Sequence, residues 1–176
     1  MRSTAIIVLA LSAFPVTMPP VDRSVADEHQ DVVETIATFK KKDPALQKFF
    51  DESVGYAVLP TVAKGAIGVG AAHGSGELLT GGKAIGKISM TQVTIGLQLG
   101  GQAYSEIIFF ENENTLNGFK NGDFAFAAQA TAVALASGAA ANASYRNHVA
   151  VFTSAKGGLM YEASIGGQKF SYKAYE

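Results

Sequence analysis

The first part of the chain has apolar residues at helical spacing. Between residues 28 and 42 they share one face of a helix: Val32, Val33, Ile36 and Phe39. Acidic residues come early in this segment and lysines come late, which complements the helix dipole. Asp43 and Pro44 then have the residue types of an N-cap and a first helical position. The pattern predicts a helix over residues 28–42 and a second, short helix with Leu46, Phe49 and Phe50 on one face.

From Gly55 onward the apolar period becomes two, which is typical of strands. Val93, Ile95, Leu97 and Leu99 alternate with smaller or polar residues and predict a half-buried strand. Further strands are predicted at 107–110, 149–152, 159–165 and 170–172. Glycine pairs separate these strands and are interpreted as turns. The pairs lie at 81–82, 100–101, 157–158 and 166–167.

Two segments between the strands differ from this pattern. Residues 115–120 predict a short helix that ends at Asn121-Gly122. Phe124 to Tyr145 is rich in alanine, which favours a helix, although its alternating positions also fit one face of a strand. We interpret it as two strands broken near Gly138.

These elements define the expected fold class. It is α+β, with N-terminal helices packed on a glycine-rich, mainly antiparallel β-sheet that closes into a sandwich or small barrel. All 19 glycines fall between Gly55 and Gly167, so the helical front and the β body are distinct in composition. At 176 residues the chain has the length of one domain.

The N-terminus has the features of a signal peptide. Arg2 precedes an apolar run from Ala5 to Phe14, which is too short to span a bilayer. Small residues at Ser24 and Ala26 predict cleavage after Ala26. We therefore expect a signal peptide over residues 1–26 and one domain over 27–176, exported to the periplasm or secreted, either free or associated with a membrane.

Composition narrows the classes of function. The formal charge is −1, which gives no support for nucleic-acid binding, and the absence of cysteine excludes disulfides and thiolate sites. The segment 81–87 fits a phosphate-binding loop in part, but Ile88 stands where Ser or Thr is needed. The three histidines lack the spacing of a metal site, so no metal or cofactor is expected.

Two local features carry alternative functions. His73 and Ser75 form the only enzyme-like pair and would support a hydrolase, although no third group is evident. Lys40, Lys41, Lys42 and Lys48 cluster at the corner between the two predicted helices. They fit either a solvated helix end or a patch that meets anionic lipid head groups. The stripe of the first helix could insert into a membrane interface or pack on the sheet.

Several blocks of the body, taken in order, resemble a known family. They are GYAVLPTVAKG at 55–65, GVG at 68–70, HGSG at 73–76, GGQAYSE at 100–106, AVFT at 150–153, KGGLMYE at 156–162 and GGQKF at 166–170. Together they resemble the SYLF domain, a family also known for actin binding, in its exported bacterial form. The resemblance covers roughly residues 31–173.

The resemblance implies a lipid-binding module rather than an enzyme. It implies contact with phosphoinositide-type membranes through basic and amphipathic segments near the N-terminus, where Lys40, Lys41, Lys42 and Lys48 lie. The expected partners are anionic lipid head groups or a membrane surface of the cell envelope. The alternative is a structural or actin-binding-like interaction domain that binds another envelope protein without lipid.

Overall fold

A computed structural model describes residues 24–122, 125–126, 132–165 and 167–176, and over these residues the protein is α+β. The helices are α1 (Val25–Lys42), α2 (Gln47–Glu52) and α3 (Glu113–Lys120), with 3-10 turns at Pro44–Leu46 and Ala140–Asn142. The strands are β1 (Gly55–Thr80), β2 (Lys83–Phe110), β3 (Ala125–Phe126), β4 (Val133–Ala134), β5 (Val149–Ile165) and β6 (Gln168–Ala174). The predicted α+β class, with N-terminal helices on a mainly antiparallel sheet, and all three predicted helices are confirmed, whereas closure of the sheet into a sandwich or small barrel stays a prediction.

Helix α1 begins three residues before the predicted start. The Ser24 side chain caps it by accepting a hydrogen bond from the Asp27 backbone N–H at 3.2 Å. Asp43 ends it and caps the following 3-10 turn, as its sequence with Pro44 predicts. Of the predicted signal peptide, residues 1–23 lie outside the described part, and Val25 and Ala26 form the first turn of α1.

Strand β2 is the centre of the sheet. It pairs antiparallel with β1 on one side, and with β5 and β6 on the other. The short strand β3 pairs antiparallel with β6, and β4 pairs parallel with β5, so the sheet has six strands and is mainly antiparallel.

One of the four predicted glycine turns is confirmed. Gly81 and Gly82 form the hairpin turn between β1 and β2. The turns predicted at 100–101 and 157–158 are wrong, because those glycines lie inside β2 and β5. Gly158 has a φ of +99°, and a Cβ there would lie 2.3 Å from the Gly101 carbonyl oxygen. Glycine is needed at this point for close approach between strands rather than for chain reversal.

The turn predicted at 166–167 falls partly outside the described residues, because Gly166 is not among them. Ile165 pairs with Ile95, and Gln168 pairs with Gln92, so both strands advance by three residues across this point. Strand β6 therefore continues along β2 in the direction of β5. The alternating pattern on either side of this glycine pair fits both a turn and a strand that continues in the same direction. Only the register of strand pairing distinguishes the two.

The two strands predicted between Phe124 and Tyr145 are wrongly placed along the chain. The structure does contain two short strands in this segment, β3 and β4, but both precede Gly138. Gly138 lies in a turn with a φ of +80°, directly before the second 3-10 turn. The rest of the predicted first strand includes residues 124 and 127–131, which lie outside the described residues.

The apolar core consists of two clusters on opposite faces of the sheet. Neighbouring residues of β2 point to opposite faces, so Ile108 and Phe110 belong to one cluster while Ile107 and Phe109 belong to the other. The first cluster includes the apolar residues of α3. The second lies beneath α1 and α2, and we call the face that carries it the helix face.

The two ends of β1 approach each other. A Cβ on Gly76 would lie 1.8 Å from the Val58 carbonyl oxygen, and a Cβ on Gly74 would lie 2.8 Å from a Val62 methyl carbon. Long strands that return on themselves in this way must bend between the two points of contact. The bend falls near residues 63–73, and it positions the site described next.

Candidate functional site

Six large apolar side chains are exposed around the bend of the sheet. Their exposed fractions run from 61% to 86%. We call this set the apolar band; it consists of Ile67, Val69, Val93, Ile95, Leu97 and Leu99. Contiguous apolar surface of this kind is unusual on a folded protein and marks a surface that contacts something else.

The band lies on one face of the sheet because of strand register. Its four β2 members occupy alternate positions, and Ile67 and Val69 pair directly with Leu99 and Ile95. Alternation along β2 places the band on the helix face, beyond the area that α1 and α2 cover.

The strand predicted at 93–99 is confirmed as part of β2. Its apolar positions are the exposed ones, whereas Thr94 between them is only 2% exposed. Periodicity identifies two unlike faces but does not say which of them is covered. The sequence pattern does not indicate a role for Ile67 and Val69. They are isolated β-branched residues among Gly65, Gly68 and Gly70.

Two basic residues lie on the same face of the sheet, Lys169 beside the band and Lys173 about 20 Å of strand from Val93. Lys169 pairs with Thr91 and Lys173 pairs with Lys87, in the part of β2 that leads directly to Val93. Lys169 and Lys173 are exposed, and we call them the basic rim. Lys87 is already engaged, since its Nζ lies 2.7 Å from a Glu28 carboxylate oxygen. The rim thus adds positive charge beside an apolar surface.

The four predicted lipid-contacting lysines do not form a single free patch. Lys48 donates to the Ala143 carbonyl oxygen at 3.2 Å and lies 4.8 Å from the Phe49 ring centroid. Lys40 lies 4.3 Å from the Phe50 ring centroid, and Lys42 donates to Ser154 Oγ at 3.1 Å. Lys41 is exposed and has no hydrogen bond to the described residues. Three of these lysines therefore have structural contacts, and Lys41 is the best placed to meet a ligand.

The same corner is organised by a buried carboxylate. Asp43 accepts hydrogen bonds from the backbone N–H groups of Ala140 at 2.7 Å and Ala45 at 3.1 Å. The bond from Ala140 lowers the pKa of Asp43, against the opposing effect of its burial. Asp43 thereby ties the end of α1 to the second 3-10 turn.

The apolar stripe of α1 packs mainly on the sheet. Val32 and Phe39 are buried and Ile36 is half-buried, while Val33 is 46% exposed. Of the two interpretations of this stripe, packing on the sheet describes the structure. Insertion of this stripe into a membrane would require α1 to leave the sheet.

Among the described residues, His73 and Ser75 do not have the contacts of a catalytic pair. His73 is exposed and has no hydrogen-bonded carboxylate among them. The histidines that do contact carboxylates are His29, 2.7 Å from Glu77, and His148, 2.6 Å from Glu111. In the described part of the chain, no three acidic or histidine side chains are grouped as metal ligands.

The chain matches no protein-family model and no curated protein. Within the described residues, α1 to α3 are each too short or too polar to cross a bilayer.

Proposed function

We propose that this protein is a non-catalytic module of the bacterial cell envelope that binds a membrane surface. The apolar band carries the proposal: six aliphatic side chains project from a bent sheet without a protein covering among the described residues. We propose the apolar band as the inserting surface in place of the apolar stripe of α1, because that stripe already packs on the sheet. The resemblance to lipid-binding SYLF domains agrees with this function.

The band is large enough to hold the protein at an interface. Burial of one Val, Leu or Ile side chain contributes about 1.5–3 kcal/mol. Even half-burial of all six therefore approaches the ~8 kcal/mol of a micromolar complex, before the cost of immobilisation. Strand side chains inserted by one sheet face leave the backbone hydrogen bonds of the sheet intact, as a lipid environment requires.

The basic rim favours anionic head groups over neutral ones. A lysine near an anionic membrane surface contributes about 1 kcal/mol. Lys169 is placed to make that contribution when the band inserts, Lys173 lies further away, at about 20 Å of strand from Val93, and Lys41 is a third candidate on a different element. Lys40 and Lys48 have contacts with a ring and with carbonyl oxygens that would compete with lipid, whereas Lys42 is held only at the Ser154 hydroxyl.

We also propose that the sheet closes into the expected sandwich or small barrel. The approach of Gly76 to Val58 supports closure, since it brings the two ends of β1 together. Among the described strands the pairing order is an open path, so closure would rest on packing of these ends. A closed body would leave the bend and its band as the projecting part of the protein.

Vesicle flotation of purified variants tests the proposed surface. In the band, the double variant Ile95→Ser with Leu97→Ser should lower vesicle binding at least tenfold, because it removes two inserting side chains. Val33→Ser on α1 is the matched control, since Val33 is exposed and aliphatic but lies outside the band. It should bind as the unaltered protein does.

Three outcomes would count against this assignment. Unchanged binding by the band variant would contradict the proposed surface, and absence of binding to any vesicle would contradict the function. A loss on Val33→Ser equal to that of the band variant would restore α1 as the contact. Lys41→Glu and the pair Lys169→Glu with Lys173→Glu then show which basic group supports binding to anionic vesicles.

A further inference from the structure

A polar groove lies between α1 and the sheet, separate from the apolar band. Its volume is about 340 Å³, within the usual range for small-molecule sites. Residues from α1 form one wall, and residues from β1, β2 and β5 form the other. Three hydroxyl-bearing residues of its lining are buried: Thr35, Ser105 and Ser154.

The groove has charged groups of both signs at its edge. The α1 wall bears the carboxylates of Asp31 and Glu34, and the sheet wall bears Lys156. The Lys156 Nζ donates to Thr61 Oγ1 at 2.9 Å, and the Lys42 Nζ donates to Ser154 Oγ at 3.1 Å. Both ammonium groups are therefore held at neutral hydroxyls that line the groove, where an anionic group could replace them as acceptor.

We propose that this groove binds the phosphoethanolamine head group of a zwitterionic lipid. Its phosphate would accept from Lys156 and Lys42, while its ammonium would donate to Glu34 and Asp31. A ligand with both charges can pair with the ammonium groups and with the carboxylates, whereas a simple anion would face the two carboxylates. The inference names the lipid for the proposed membrane function and rests on that function.

The distance from the groove to the apolar band suits a lipid. Thr61 lines the groove and Ile67 begins the band, six residues further along β1, or about 20 Å of strand. One lipid chain spans about half of the ~30 Å hydrocarbon core, or about 15 Å, so a lipid held by its head group in the groove could cover most of this distance with its chain. Between the two sites, Ala63 pairs with Ala103 and Gly65 pairs with Gly101, so small residues leave room for a chain against the sheet.

Vesicles of equal net charge test the head group directly. Phosphatidylcholine and phosphatidylethanolamine are both zwitterionic, but only the latter has ammonium N–H donors for carboxylates. Replacing part of the phosphatidylcholine with phosphatidylethanolamine should raise binding about tenfold, the effect of one hydrogen bond to a charged group. Lys156→Gln and Glu34→Gln should each abolish this increase. Lys83→Gln, at the distant hairpin, should retain it.

Soluble glycerophosphoethanolamine tests binding in the groove independently of binding to a membrane. It should shift the NMR resonances of Ser105 and Ser154, in the unaltered protein and also in the band variant that no longer binds vesicles. Vesicle binding without a preference for phosphatidylethanolamine and without these shifts would overturn the groove assignment while leaving the membrane function intact. Shifts with soluble ligand but no binding to any vesicle would support the groove chemistry and contradict the lipid source and the membrane function.

Discussion

At the residue scale, Glu106 is unusual because it is an ionisable carboxyl buried within the sheet. It lies in β2 and is 1% exposed, and Gln168 Nε2 donates to its carboxylate at 3.0 Å. Burial raises the pKa of Glu106 to about 7, and the hydrogen bond from Gln168 opposes that rise only in part. Near neutral pH this carboxyl is therefore divided between its charged and neutral forms.

The folding free energy should depend on pH through Glu106. The folded pKa is about 7 and the ordinary value is 4.5, so the folded state holds the proton more tightly. Glu106 therefore contributes about 3 kcal/mol to the free energy of unfolding. This contribution is fully present below pH 4.5 and is lost as pH rises through 7. Glu106→Gln should remove this dependence and be more stable than the unaltered protein at pH 8.

Urea unfolding at pH 5 and pH 8 measures this effect. Glu34→Gln on α1 is a suitable control, because Glu34 is exposed and its change should leave the pH dependence in place. If Glu106→Gln and the unaltered protein lose stability equally between pH 5 and pH 8, Glu106 is not the group responsible.

At the scale of elements, the bend of β1 depends on glycine at particular positions. A Cβ on Gly76 would overlap the Val58 carbonyl oxygen, whereas a Cβ on Gly65 would meet no atom within 4 Å. Both glycines lie in the same strand, and neither has a positive φ. Comparing the two positions therefore shows how much stability depends on close contact at Gly76, because Gly65 is also in β1 but has no close neighbour.

Alanine at these two positions should have opposite consequences. Gly76→Ala should destabilise the protein by about 1–3 kcal/mol or more, because the backbone at Val58 must move. Gly65→Ala should be neutral or stabilising by up to about 1 kcal/mol, since it reduces the entropy of the unfolded chain. Thermal unfolding of both variants checks the prediction, and equal losses would show that the two ends of β1 do not pack as described.

Individual elements show what could be predicted from sequence. Helix α1 was predictable because its apolar spacing, acidic start and basic end agree, and α3 because Asn121-Gly122 ends it. The extent of β2 was not predictable, since Gly100 and Gly101 resemble a turn unless their strand partners are known. The exposure of Ile95 and Leu97 was equally hidden, because local sequence does not specify what covers a sheet face.

The predicted site illustrates the same limit. Charge clustering identified Lys40, Lys41, Lys42 and Lys48 as neighbours, but not that carbonyl oxygens, rings and a hydroxyl already engage three of them. Lys156 comes to the groove from β5, more than a hundred residues beyond α1, and no local pattern connects the two. Contacts between distant segments were therefore the part that required the structure.

At the scale of the whole molecule, polar and apolar surfaces are separated. Helices α1 and α2 cover one end of the helix face, the groove lies beside α1, and the apolar band occupies the bend beyond them. The formal charge of the chain is only −1, so the proposed attraction to a membrane would come from local groups such as the basic rim. This arrangement supports a protein that meets the bilayer with the bend of its sheet.

The absence of cysteine from the sequence permits one direct measurement of this contact. Leu97→Cys and Val33→Cys each introduce a single thiol for an environment-sensitive fluorophore, in the band and on α1. With vesicles that contain anionic lipid and phosphatidylethanolamine, the label at position 97 should shift to the blue and be quenched by spin-labelled acyl chains, while the label at position 33 stays in water. A label at position 97 that remains in water when the protein is vesicle-bound, or that is shielded without lipid by a second copy, would contradict the account.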